Sequence, residues 1–389
     1  MAIFIPSYTY IYERHLRVFD YFTNKEDLVF ILPKIWKAKG GKLIVKPPQS
    51  SDFSIIPAWA PFYHSRYPII GGLLKAWMPN LGTILRKLSK PGDVLLSSAE
   101  PYLLTTYLYS RLCKKLGLKH VFLTWQNLPY PEIASGPKLK IKECLIRQNI
   151  NLSAGALCGS KQAYDVLKPY LNSIIRTEVI PQSGVDSDLF KPDIPNDFRK
   201  KYNLENKVVF LFGAVFDERK GVFTTIKAFS KVVKQVPSSH LVMIGMGPLW
   251  QEARELARKL SLGDKILFIE WLPNDQLPPI LASSDIFVHP SEPRQGWEEQ
   301  YGWSILQASA SGLPVISTKI GAISEAVLDG KTGVLIEPKN PQALAQAMIR
   351  LASNSEVRKK MGEEGREYML VKYSHRVVAR KLEKFLRSL

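Results

Sequence analysis

Cysteine is scarce, with three residues (Cys113, Cys144 and Cys158) in 389. An odd number excludes a fully paired disulfide framework, and no spacing among them is that of a metal site. Reduced thiols in an intracellular setting are expected. Long apolar runs are missing too. No stretch reaches the roughly 18 apolar residues that a spanning helix needs. The opening Met1-Ala-Ile-Phe-Ile-Pro6 lacks the basic start of a signal peptide. A cytoplasmic chain, soluble or peripheral at a membrane, is therefore expected. Negative charge is in deficit: 35 Asp and Glu stand against 53 Lys and Arg, a formal charge of +18. Most of the excess lies in residues 1–190. Such a surface attracts polyanions, whether anionic lipid, phosphorylated substrate or nucleic acid. No stacking module or recognition motif accompanies it, so nucleic acid is not expected as a partner. Core-forming residues are not in deficit. Apolar residues make up 46% and charged ones 23%, which is ordinary globular usage and excludes a disordered chain.

What is present is an alternation. Short, nearly all-apolar runs read as strands at Val94–Ser97, Lys119–Leu123, Val208–Phe212, His240–Ile244, Ile266–Phe268, Ile286–His289, Pro314–Ser317 and Gly333–Ile336. Amphipathic stretches such as Gly221–Gln235, Leu249–Leu260 and Pro341–Ala352 lie between them. Strands that are apolar throughout belong in parallel sheets covered by helices on both faces, so an α/β fold is expected. The proline-rich stretch Val179–Pro195 marks a boundary. It predicts an N-terminal domain over 1–190, a C-terminal domain over 191–370 and a basic amphipathic helix over 371–389. Ligands of open α/β sheets bind beyond the carboxyl ends of the strands.

Three C-terminal segments carry chemistry. In Phe210-Leu-Phe-Gly-Ala-Val-Phe-Asp-Glu-Arg-Lys-Gly221 a strand runs through a turn into Arg219-Lys220 and then a helix. Cations beside helical N–H dipoles suit a diphosphate, although Lys and Arg before a helix are often merely solvated. In His240-Leu-Val-Met-Ile-Gly-Met-Gly-Pro-Leu249 a strand ends in a Gly-x-Gly turn. Trp250 stands where a dinucleotide fingerprint needs its third glycine, which argues against NAD. The third segment runs from His289 to Ser317. Its acidic, aromatic loop ends at Glu299-Gln-Tyr-Gly302 and opens a helix. Amides from Tyr301 to Ser304 suit phosphate or a sugar hydroxyl, and Glu299 can accept from a sugar. Glu298 and Glu299 could equally do no more than favour the helix dipole.

Together these segments resemble the retaining glycosyltransferases of family 4 (glycosyltransferase group 1), over most of residues 90–389 and most strongly from Val179 to Val334. The matches are Ile180-Pro-Gln-Ser-Gly-Val-Asp186, Gly213 through Lys220-Gly221, Ile244-Gly-Met-Gly-Pro248, Glu299 through Val315, and Gly330-Lys-Thr-Gly333. The resemblance implies the GT-B fold, two Rossmann-like domains facing a cleft, with the last helix crossing back to the first domain. It implies hexosyl transfer from a UDP- or GDP-type nucleotide sugar with retained anomeric configuration and no metal or other cofactor. It assigns Lys220 and Glu299 to catalysis, with Gln126 at the position of the family's N-terminal active-site histidine. Gly213, Arg219, Leu272, Gln300, Tyr301, Gly302, Trp303 and Gln307 would bind the donor.

The chain departs from the family pattern in several places. Gln307 replaces the second signature glutamate, and Ala214 replaces a donor-loop arginine for which Arg219 or Arg294 could stand in. Phe4-Ile-Pro-Ser-Tyr-Thr-Tyr10 replaces a glycine-rich first loop. The alternative these departures suggest is a catalytically weakened nucleotide- or glycan-binding subunit. On the acceptor side, Trp125, Asn127 and Glu100-Pro-Tyr102 follow strands and suit a glycan or a lipid-linked sugar. In Ile69–Lys90 the residues Leu74, Trp77, Leu81, Ile84, Leu85 and Leu88 share one face flanked by Lys75, Arg86, Lys87 and Lys90. With Lys138, Lys140 and Lys142 this predicts contact with an anionic membrane surface. The bland reading is a helix packed on its own domain.

Overall fold

A computed structural model describes residues 1–37, 44–45, 48, 52–62 and 70–389. The chain divides into two compact units, one of Met1–Gly184 with His375–Leu389, the other of Val185–Ser374. Strands of the first unit are β1 (Ile3–Pro6), β2 (Leu28–Pro33), β3 (Trp36–Lys37), β4 (Ile44–Val45), β5 (Ser54–Ala58), β6 (Val94–Ser97), β7 (Lys119–Thr124), β8 (Gly155–Cys158) and β9 (Arg176–Val179). Seven of them form a parallel sheet of order β5-β2-β1-β6-β7-β8-β9, and β3 pairs antiparallel with β4. Strands of the second unit are β10 (Val208–Gly213), β11 (Ser239–Ile244), β12 (Ile266–Ile269), β13 (Ile286–His289), β14 (Val315–Thr318) and β15 (Gly333–Ile336). They form a parallel sheet of order β12-β11-β10-β13-β14-β15.

Each sheet is buried on both faces, as uniformly apolar strands require. In the first unit, Ile3, Ile5, Leu96 and Leu123 join one cluster, while Phe4 and Leu95 point to another on the opposite face. Side chains alternate because the strand period is two. In the second unit, Phe210, Phe212, Leu241 and Met243 pack against Val222, Ile226, Phe229 and Val232 of the helix Val222–Gln235, positions spaced for one helical face.

The final helix, His375–Arg387, packs in the first unit. Its buried Val378, Leu382, Phe385 and Leu386 complete the cluster that contains Ile3 and Ile5. Each such burial is worth roughly 1.5–3 kcal/mol. Glu383 accepts from the Thr23 amide at 2.9 Å, and Arg387 donates to Asp27 at 2.9 Å.

Part of the apolar stripe between residues 69 and 90 packs against the first unit. Ile69 lies outside the described residues. Helix runs over Ile70–Leu73 and again over Leu81–Leu88, interrupted where Ala76 adopts φ 59°. Met78, Leu81 and Leu85 are buried with Phe4, Ile31 and Leu95 against the sheet. The Met78 amide donates to Tyr109 Oη at 2.9 Å. Of the six apolar residues of the stripe, only Leu88 is exposed. Amphipathicity reports that a face is buried, and here the first unit's own core supplies the cover.

His120 on β7 ties three segments together. Its ring meets Ser97 of β6 at 3.0 Å and Ser153, just before β8, at 2.7 Å. Burial pushes its imidazole down to about 3. The unfolded chain takes up a proton near pH 6.5 that the folded chain refuses. The stability held above pH 6.5 is therefore lost progressively towards pH 3, by at most about 1.4 kcal/mol per pH unit for one histidine. Urea midpoints at pH 7 and pH 5 should differ less for His120→Asn than for the unaltered chain. Identical pH dependence in the two proteins would refute this.

Candidate active site

In the second unit the strand order reverses between β10 and β13. The loops leaving these two strands run to opposite sides, and such a switch point is where open α/β sheets bind ligands. Lys220 comes from the loop after β10. His289 ends β13, and Ser291 and Glu299 lie in the loop beyond it. The Lys220 ammonium donates to Glu299 Oε2. Ser291 Oγ donates to the same oxygen at 2.7 Å, and His289 Nε2 lies 3.3 Å from it. Glu299 is 7% exposed and His289 is 2% exposed.

Burial by itself would raise the Glu299 carboxyl. The hydrogen bond from His289 and the charge of Lys220 more than reverse this and hold it well below the usual carboxylate range. Burial lowers the His289 imidazole, and the Lys220 charge adds to the effect against the hydrogen bond to Glu299. His289 is thus neutral at neutral pH. A carboxylate only accepts, so Nε2 carries the ring proton and Nδ1 accepts from Ser304 Oγ at 3.4 Å. Glu299 is in this way linked through His289 to the first turn of the helix Trp303–Ala310. Amides of that turn point out along the helix axis, where they favour an anion.

Several further contacts join the two loops. Glu292 donates its amide to the Arg219 carbonyl at 2.8 Å, and Thr224 Oγ1 donates to Glu292 at 2.5 Å. The Trp297 ring lies under both cations, 4.7 Å from the Arg219 guanidinium and 5.3 Å from the Lys220 ammonium. Gly221, at φ 66°, brings the loop so close to β13 that a Cβ there would lie 2.1 Å from the Pro290 carbonyl. The Gly245-x-Gly247 turn acts as a buttress. Gly245 sits at φ 142°, where a Cβ would meet the Ala214 carbonyl at 1.9 Å, and the Phe216 amide donates to the Met246 carbonyl at 3.0 Å.

Gly213 ends β10, paired with Ile244. Leu272 is half-buried beyond β12, Trp303 is half-buried at the helix start, and Gln300 is exposed. Gly302, at φ 70°, precedes the helix. The side chain of Tyr301 is turned away from this group. It is buried with Tyr373 and bonds Glu325 at 3.4 Å, so only its backbone remains at the loop. Gln307 is buried and donates to Asn274 at 2.7 Å. Neither arginine considered as a stand-in at Ala214 is without an acidic partner: Arg219 pairs with Asp217 and Arg294 with Glu218.

Gln126, Trp125 and Asn127 belong to the first unit, just after β7. Gln126 donates its side-chain amide to the Leu128 carbonyl at 2.7 Å, and Asn127 is buried. The Trp125 ring rests on Gly159, where a Cβ would come within 2.3 Å, and packs against the core. The residue is half-buried there. His289, Ser291 and Trp297 were not anticipated as site residues. A polar residue closing the apolar run Ile286–His289 was the available signal for the first of them. Among the described residues no three His, Cys, Asp or Glu side chains are grouped to hold a metal ion.

Residues 193–368 match the family described as glycosyl transferases group 1. The second unit is a group 1 glycosyltransferase domain. The chain is 31% identical over 209 residues to a GDP-mannose-dependent alpha-(1-6)-phosphatidylinositol monomannoside mannosyltransferase of Mycobacterium tuberculosis, covering 53% of this chain and 54% of that protein. It is 31% identical over 179 residues to the N-acetyl-alpha-D-glucosaminyl L-malate synthase of Bacillus anthracis, covering 46% and 45%. It spans about half the length of these curated relatives. Among solved structures, HepE of Anabaena in complex with UDP superposes with a TM-score of 0.73 at 16% identity, over 100% of both chains. The chain therefore has the GT-B fold.

Within the glycosyltransferase domain, Gly221→Ala should lower stability by roughly 2 kcal/mol or more, since a left-handed backbone and a carbonyl clash coincide. Gly263→Ala, with nothing within 4 Å of its Cβ, should stay within about 0.5 kcal/mol. Melting curves of the two variants check this, and equal melting temperatures would overturn it.

Proposed function

We propose that the chain is a retaining hexosyltransferase. It moves a hexose from a UDP- or GDP-type nucleotide sugar to a glycan or lipid-linked acceptor, without a metal, at the inner face of a membrane. The observation that carries this reading is the buried group of Lys220, Glu299, His289 and Ser291 beside a helix N-terminus. In the transfer, the bond from the anomeric carbon to the diphosphate breaks. A bond from an acceptor hydroxyl forms on the same face, and the hydroxyl proton passes to the departing diphosphate. Charge grows on the leaving group, where Lys220 and the amides beyond Gly302 oppose it. Glu299, kept ionised and held by His289, orients Lys220 and accepts from a sugar hydroxyl. Arg219, Gly213 and Trp303 line the donor, Leu272 faces the nucleobase, and Gln307 serves the ribose through its amide. Gln126 and Asn127 stand on the acceptor side.

One curated relative is named as GDP-mannose-dependent and one solved neighbour holds UDP, so both nucleobases belong in the test. Support for the membrane surface comes from the charge of +18 and from the helix Gly136–Leu152, which exposes Lys138, Lys140 and Ile141. Anionic lipid attracts such lysines by about 1 kcal/mol each. A second reading, a weakened nucleotide- or glycan-binding subunit, is favoured by the Gln307–Asn274 hydrogen bond, since a neutral amide already engaged makes a poorer ribose acceptor.

Nucleotide release from UDP- and GDP-sugars, with and without a membrane extract, is the direct assay. Lys220→Ala should lower kcat by about 100- to 1000-fold. Glu299→Gln should lower it by about tenfold or more, through loss of a charge-assisted contact. Glu299→Ala is the poorer probe, because it leaves Lys220 buried without its partner. Unchanged turnover in both variants would remove the site assignment. Bound nucleotide with no turnover in the unaltered chain would select the second reading.

A further inference from the structure

The glycosyltransferase domain carries a second hollow, apart from the switch point. The helix Val222–Gln235 packs beside the helix Pro341–Ala352, which follows β15. Between their outer faces lies a groove of about 550 Å³. Buried Ala345 and half-buried Ile349 form its floor, and the exposed Lys231, Lys234 and Arg350 stand on its walls with Gln342 and Gln346. That volume falls within the roughly 300–1,000 Å³ of small-molecule sites. The helix Val222–Gln235 begins beside Lys220, and Lys231 lies roughly 14 Å further along it, at about 1.5 Å per residue.

The charge in this groove has one sign. Neither helix contains an Asp or a Glu, and no acidic side chain lines the hollow. Among the described residues, Lys231, Lys234 and Arg350 make no ion pair within 4.0 Å. Other exposed cations of the same domain are paired: Arg294 with Glu218, Lys319 with Asp329 and Lys359 with Glu363. Lys234 and Arg350 stand in the last turns of their helices, where a cation favours the dipole. That accounts for these two singly, but not for Lys231, which stands a turn earlier. Its ammonium donates across the groove to Gln342 Oε1, which keeps the charge over the hollow. From Gln342 to Arg350 the groove runs roughly 12 Å, again at about 1.5 Å per helical residue. Cations thus stand towards both ends, and a single anionic group cannot meet them all. Phosphate suits them because each group offers several acceptor oxygens to point charges and to side-chain amides.

We propose that this groove binds a polyphosphate, a ligand with several linked phosphate groups, at a site separate from the donor. Lys231, Lys234 and Arg350 meet the phosphates, and the amide groups of Gln342 and Gln346 donate to oxygens between them. Inorganic polyphosphate and the tail of a nucleoside triphosphate share this chemistry. It does not depend on what the domain transfers.

The test is calorimetric titration of the full chain with tripolyphosphate, in about 0.15 M salt and with UDP present. Tripolyphosphate should bind at one site, at least about tenfold more tightly than orthophosphate. Lys231→Gln, Lys234→Gln and Arg350→Gln should each weaken it about three- to fivefold, the effect of one exposed charged contact. The three together should weaken it roughly 30-fold or more. All three side chains are exposed, so folding is not at stake. Arg86→Gln, Lys87→Gln and Lys90→Gln together remove the same charge from the first unit and should change the affinity by less than about twofold, since salt screens charges outside the site. Equal weakening by the two sets overturns the proposal, because the attraction is then general. A loss in Lys220→Ala with none in the groove variants assigns tripolyphosphate to the donor site and overturns it as well. Tighter binding of hexaglutamate than of tripolyphosphate overturns it in favour of an acidic protein segment. ATP binding about tenfold tighter than tripolyphosphate identifies a nucleotide as the source. Equal binding of the two identifies the phosphate chain alone.

Discussion

The ion pair between Lys220 and Glu299 is the constraint on which the second unit's site depends. A buried salt bridge is a poor source of stability, because desolvating two charges costs about as much as their attraction returns. Here the same carboxylate oxygen also receives Ser291 and faces His289. Those contacts hold the carboxyl ionised despite its burial. The pair joins the loop after β10 to the loop after β13, the two sides of the switch point. The Gly221–Pro290 approach, the Arg219–Glu292 hydrogen bond and the Trp297 ring cross the same seam. Several independent contacts across one seam fix the position of the Lys220 ammonium.

The first unit shows the same architecture with the opposite electrostatic outcome. At its switch point the carboxyl of Glu100 is held by a hydroxyl and an amide, and its nearby lysines lie on tyrosine rings. The carboxylate of the second unit pairs directly with a lysine, and among the described residues that of the first makes no ion pair. The difference follows from the supports. Trp297 lies under the cations of the second unit while Lys220 still reaches Glu299, whereas Lys75 and Lys142 lie over the rings of Tyr8 and Tyr102.

Much of the fold was legible because buried parallel strands are apolar throughout and stand apart from amphipathic helices. The strands that escaped notice show where that signal fails. β2 and β5 contain Pro33 and Pro57, and β9, Arg176–Val179, is polar and largely exposed at a sheet edge. Proline and polarity both read as loop; both are tolerable at the edge strands β5 and β9, and Pro33 closes β2 at its last residue. The loops after β10 and β13 were legible because their glycines and cations stand at fixed offsets from strand ends. The direction of the Tyr301 ring was not legible, since adjacency to Gly302 says where the backbone runs and not which way the ring turns.

By itself the sequence determined the class of fold, the order of its elements and the residues from which a donor site could be made. These are local properties, written in period, charge and the placement of glycine and proline. Tertiary structure alone decided what each buried face meets. It set Met78, Leu81 and Leu85 against the first sheet, turned Tyr301 towards Tyr373, and brought His289 and Ser291 onto Glu299. Periodicity records that a side chain leaves water, but its partner comes from a segment distant in the chain. Only the packing of the sheets and their helices fixes that partner.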